Sequence, residues 1–194
     1  MNSMIKLAFV VVLIISLHGC VQPQQSDEWR DSYNNGLALS ASGNYPAAIE
    51  QFSYSIDKSP NSTDPYVSRA EAYLMLNQYD KALSDYSTVI EKTGATSTTY
   101  YLTHSLRGDV LVKKGLYQRA VDDYGVAISG MPYLPQVYES RGDAYKTIGN
   151  VDKALDDYRA SLSLYGKTTP DGRFFALTPE IKQRIKQKIK SLSG

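Results

Sequence analysis

Three arginines and three aspartates stand in fixed relation along this chain. Arg69, Arg107 and Arg141 precede Asp85, Asp123 and Asp157, respectively, by 16 residues. A guanidinium and a carboxylate held at matched positions can form a two-pronged ion pair, or they can put a fixed cation beside a base in a reaction. Recurrence favours the first use, because no single substrate reaches all three places. At the corresponding fourth place both charges are missing together, replaced by Asn35 and Gln51. Joint loss is the pattern of a mutually satisfying pair. The expectation is an Arg–Asp bridge between the two helices of one unit, or between neighbouring units.

Other reactive chemistry is sparse. His104 is the one histidine beyond His18, and a lone histidine of that kind is more often structural than a base or ligand. Metal-ligand spacing, a phosphate-cradling glycine loop and a nucleophile elbow are all missing from the sequence. The chain therefore reads as something other than an enzyme, with no metal or other cofactor expected. A net charge of +1 over 194 residues gives no field that would draw nucleic acid.

Cys20 is the only cysteine, so it has no disulfide partner to account for it. It follows "MNSMIKLAFVVVLIISLHG", with one cation at Lys6 and an apolar run from Leu7 to Leu17. Eleven helical residues rise about 16 Å, short of a bilayer core of about 30 Å, so residues 1–19 read as a secretory signal. Leu17-His18-Gly19-Cys20 resembles the lipobox of bacterial lipoproteins, with His18 in place of the usual small residue. That resemblance implies lipidation of Cys20, and Val21 after it implies the outer membrane. Residues 20–28, rich in Gln with one Pro, read as a polar tether.

Positions that must hold the Arg–Asp pairs belong to a larger repeat. Gly36, Ala70, Gly108 and Gly142 are spaced by 34, 38 and 34 residues. Ala48, Ala82, Ala120 and Ala154 each follow twelve residues later, and Phe52, Tyr86, Tyr124 and Tyr158 four after those. Small residues at two positions let paired helices approach closely, and the aromatics fill what remains. The four units, 29–62, 63–96, 101–134 and 135–168, resemble tetratricopeptide repeats, which are antiparallel helix pairs stacked into a superhelix. The expected fold is all-α: an α-solenoid of four helix hairpins over residues 29–166, closed by a capping helix at 178–192. Helices are predicted at 27–41, 46–58, 64–76, 80–92, 98–114, 118–130, 135–148 and 152–165. The four extra residues in "GATSTTYY" predict a longer first helix in unit three, or a small loop.

The resemblance also assigns a groove to positions two, five, nine and twelve of each first helix. The groove residues so implied are Tyr33 and Leu37, then Val67, Glu71 and Leu74, then Ser105, Asp109 and Val112, then Glu139, Asp143 and Lys146. This surface grades from mildly apolar to acidic and suits an extended peptide with apolar residues and a basic end. Units that clamp chaperone tails carry Lys, Asn and Arg at places held here by Tyr33, Leu37, Ser68, Leu102 and Leu106, so no such clamp is expected. Over 178–192, Ile181, Ile185, Ile189 and Leu192 make an apolar stripe, while Lys182, Arg184, Lys186, Lys188 and Lys190 cover the rest. This segment reads as the solenoid's cap, with attraction to anionic lipid or nucleic acid as the sharper alternative.

The function these features imply is a membrane-anchored interaction scaffold of the bacterial cell envelope, on the periplasmic face of the outer membrane. Its partner would be another envelope protein or a peptide segment. The alternative is a self-assembling, homo-oligomeric lipoprotein.

Overall fold

The computed structural model describes residues 28–170 and 172–192. The signal segment, Cys20 and the tether up to Asp27 lie outside the described residues. Within them the chain forms α1 (Glu28–Ala41), α2 (Tyr45–Lys58), α3 (Asp64–Met75), α4 (Tyr79–Lys92), α5 (Thr98–Lys113), α6 (Tyr117–Gly130), α7 (Pro135–Thr147), α8 (Val151–Leu164) and α9 (Pro179–Lys190). Each helix packs on the one before it, and α1 with α3 and α5 with α7 also meet across units. Extended pairing is absent among the described residues apart from one antiparallel bridge, Thr168 with Phe174.

The first helix of each unit ends in the same way. Asn44, Gln78, Leu116 and Asn150 donate their backbone N–H to Leu39, Tyr73, Leu111 and Tyr145, at 2.8–2.9 Å. This closure needs one left-handed residue in the turn. Glycine supplies it at Gly43, Gly115 and Gly149, and Asn77 does so in unit two at φ 57°. Asparagine tolerates that region better than other side chains.

The hairpins close on the small residues predicted for the purpose. Ala48, Ala82, Ala120 and Ala154 are fully buried, as are the rings of Phe52, Tyr86, Tyr124 and Tyr158. A Cβ on Gly36, Gly108 or Gly142 would lie 2.6–2.7 Å from the facing ring. Unit two carries Ala70 at that place, also fully buried.

The inserted residues before unit three lengthen α5 to 16 residues, against 12 in α3 and 13 in α7. A tyrosine anchor moves back with the added turn. In units two and four, Tyr66 and Tyr138 donate to the carbonyls of Pro60 (3.4 Å) and Pro132 (3.2 Å). In unit three Tyr101 donates to Ala95 at 2.5 Å, and its ring lies flush against Gly130, where any side chain would collide.

After α8 the chain doubles back through a loop pinned by Gly166 N–H to the Phe175 carbonyl (2.8 Å) and Thr169 N–H to that of Arg173 (2.7 Å). Then α9 lies against the last unit. Ile185 is fully buried there beside Tyr158 and Tyr165, flanked by Ile181, Ile189 and Leu192. One apolar stripe thus covers an end that would otherwise face water.

Candidate functional site

The Arg–Asp pairs lie inside single units, joining first helix to second. Arg69 Nε and Nη2 donate to Asp85 at 2.8 and 2.7 Å. Arg107 does the same to Asp123, and Arg141 to Asp157, each bond 2.8 Å long. The aspartates are buried and the arginine side chains about one-fifth exposed. These bonds hold the arginine pKa values above their ordinary range, with burial opposing them less strongly.

Each pair also ties its unit to the one before. Arg69 Nη1 donates to Ser53 of α2 at 2.9 Å, and Arg107 Nη1 to Ser87 of α4 at 3.1 Å. For Arg141 the matching residue is Gly125, which offers no hydroxyl. Unit one has no unit before it among the described residues. There Asn35 is exposed and Gln51 half-buried, beside a shallow cleft lined by Glu28, Asp31, Glu50 and Tyr54. Among the described residues, the Arg–Asp pairs therefore occur only in units that have a unit before them.

His104 stands where Tyr66 and Tyr138 stand in units two and four. It is buried, with Nδ1 2.8 Å from Asp123 Oδ1 and Tyr100 edge-on at 4.6 Å between ring centres. Asp123 thus binds both Arg107 and His104, a structural role for the histidine. Among the described residues, no three His, Cys, Asp or Glu side chains converge as metal ligands, and no helix is long and apolar enough to cross a membrane.

The first helices α1, α3, α5 and α7 make one wall, and they carry all eleven groove residues named from sequence. A cavity of about 200 Å³ lies between α1, α3 and α5, lined by Tyr33, Asp64, Val67, Leu102 and Leu106 among others. A second, of about 400 Å³, lies nearer the helix ends and is lined by Leu37, Tyr45, Glu71, Leu74 and Met75 with Ser40 and Ala41. Leu37 and Leu102 are 40% and 39% exposed, large for leucines on a folded surface. Tyr33, Val67, Leu74 and Val112 are half-buried because one side of each packs on the buried core of the stack. Ser105 is half-buried and Lys146 exposed.

The acidic end of the wall differs from its sequence expectation as a site for a basic ligand. Arg184 of α9 donates to both oxygens of Glu139 at 3.0 and 2.9 Å. Lys188 lies 2.9 Å from Glu139 and 2.6 Å from Asp143, with its ammonium 5.5 Å from the centre of the Tyr158 ring. Glu139 and Asp143 are occupied by the chain's own cap, because α9 carries its cations on the side that meets the last unit. Burial alone would raise the Glu139 pKa, but the hydrogen bonds from Arg184 and Lys188 bring it below the ordinary glutamate value. The sequence carries both halves, an acidic last unit and a basic last helix, but not the distance that joins them.

Family models described as tetratricopeptide repeat match residues 33–95 and 135–168. The TPR repeat-containing protein MJ1428 of Methanocaldococcus jannaschii is 28% identical over 140 residues, 69% of this chain and 24% of that protein. DnaJ homolog subfamily C member 3 of Bos taurus is 27% identical over 112 residues, 58% of this chain and 21% of that one. The chain thus spans about a quarter or less of the length of these relatives. Among solved structures, a MamA protein superposes with a TM-score of 0.66 at 16% identity, covering 86% of this chain and 90% of its own. MamA from Desulfovibrio magneticus RS-1, from residue 41 to its end, gives 0.67 at 14% identity, covering 87% and 94%. Sequence register, hairpin closure and these matches agree: the helix pairs of this chain are tetratricopeptide repeats, stacked as an α-solenoid.

Proposed function

We propose that this protein is a lipid-anchored scaffold of the bacterial cell envelope whose first-helix wall recruits a partner protein through an extended or helical segment. The observation that carries this reading is the wall itself. Its two cavities, of about 200 and 400 Å³, are floored by leucines left open to water. Tetratricopeptide solenoids are protein-binding scaffolds, and exposed apolar side chains rimmed by polar groups mark interaction surfaces. The lipobox-like Leu17–Cys20 supports the anchor, and Val21 supports the outer membrane.

Two experiments test the two halves. Crosslinking and affinity capture from bacterial envelopes, using the full chain, should recover a partner that the Leu37→Asp/Leu102→Asp variant fails to recover. Equal recovery by both forms would remove the groove from the proposal. Cys20→Ser should shift the protein from the membrane to the soluble fraction and abolish labelling by a clickable fatty acid. Unchanged fractionation and labelling would reject the anchor.

A further inference from the structure

The ninth position of the first helix carries a carboxylate in units two, three and four: Glu71, Asp109 and Asp143. The chain satisfies two of these three itself. Asp143 accepts from Tyr158 Oη at 2.7 Å and from Lys188 at 2.6 Å. Asp109 accepts from Tyr124 Oη at 2.6 Å. Glu71 is left with neither a hydrogen bond nor an ion pair among the described residues, although Tyr86 stands at the place of Tyr124 and Tyr158.

The surroundings of Glu71 are those of a cation's seat. Glu71 lines a cavity of about 400 Å³ together with Leu37, Leu74, Met75 and Tyr45. Leu37 and Met75 are 40% and 56% exposed, so the walls are apolar and accessible. An acidic point within an apolar collar matches a side chain with an aliphatic stem and a charged tip. Cation and acid already meet in this way at the ninth position of unit four, where Lys188 reaches Asp143 across the Tyr158 ring. Glu71 is exposed on one side and crowded by protein atoms on the other, and this partial desolvation pushes its pKa above the ordinary glutamate value with no cation to offset it.

We infer that the Glu71 pocket receives a lysine or arginine side chain of the bound segment, its stem against Leu37, Leu74 and Met75 and its cation on the carboxylate. This inference rests on the groove reading above and names one residue class of the ligand.

A phage-displayed dodecapeptide library panned on the full chain, solubilised in mild detergent, tests it. Wild-type protein should enrich peptides with a Lys or Arg flanked by apolar residues, and panning on Glu71→Gln should lose that enrichment. For a selected peptide, replacing its lysine by norleucine should weaken binding by about fivefold or more on wild type and leave it unchanged on Glu71→Gln. Circular dichroism checks that the variant is folded. Peptides without cationic preference, or equal binding of the norleucine form, would overturn the pocket while leaving the groove intact. If wild type enriches nothing over the Leu37→Asp/Leu102→Asp variant, groove and pocket both fall.

Discussion

The guanidinium of Arg141 lies 3.9 Å from the point where a side chain on Gly125 would begin. Gly125 stands where Ser53 and Ser87 stand in the preceding units, and those serines accept the third hydrogen bond of Arg69 and Arg107. Gly125→Ser should therefore restore the missing tie between units three and four. One hydrogen bond to a charged group contributes about 1.5 kcal/mol or more, and removing a helix-interior glycine adds about half a kcal/mol. Urea denaturation should show a higher midpoint, and an unchanged or lower one would reject the tie.

The same logic runs in the destabilising direction at Arg107. Replacing it with Ala leaves the buried Asp123 with His104 alone, at a cost of about 3–5 kcal/mol. In a double-mutant cycle with Asp123→Asn, the coupling energy should be about 1–3 kcal/mol. A value near zero would mean that the observed bonds contribute no stability.

Close approach at Gly142 gives a third expectation. A methyl group there meets the Tyr158 ring, itself held by Asp143, so Gly142→Ala should lose about 1–3 kcal/mol despite its better helix propensity. Ala70 occupies the matching place in unit two, where Tyr86 has no bond to Glu71. Gly142→Ala together with Asp143→Ala, which frees the ring, should lose less than the sum of the two single changes. Strict additivity in thermal unfolding would count against the contact.

Docking of α9 should depend on pH through Glu139. Its pKa in the folded chain lies below the ordinary 4.5, so the carboxylate binds its proton less readily when docked than when free. The stabilisation is fully present above 4.5 and is lost as pH falls from there through the depressed folded value. Arg184 keeps its charge across that window, its pKa held above the ordinary arginine value by the bonds to Glu139. Hydrogen-exchange protection factors within Pro179–Lys190, which remove the intrinsic slowing of exchange by acid, should fall on acidification, and Glu139→Gln should flatten the dependence. An equally steep response in that variant would place the titrating group elsewhere.

Much of this architecture was legible because it is written several times. Small residues, aromatics and the Arg–Asp pairs recur in register, so each unit checks the reading of the next. The serines at 53 and 87 were equally visible, but only coordinates show them facing an arginine of the following unit. The contacts of Glu139 and Asp143 with α9 were not legible, because they occur once and join residues 45 apart through an irregular loop. Exposure along the groove was also hidden. Val67 and Val112 follow the groove period yet turn one side into the buried core of the stack, and helical phase alone does not resolve that angle.

The amides of Asn35 and Gln51 bear on how such an array can lengthen. A unit copied from the middle and inserted beside its parent brings its own matched cation and anion, ready to be covered. A unit added ahead of Tyr33 would instead press against side chains suited to water, and would need two compensating substitutions before it fitted. Among the described units, a copy is thus easier to seat within the stack than ahead of Asn35 and Gln51.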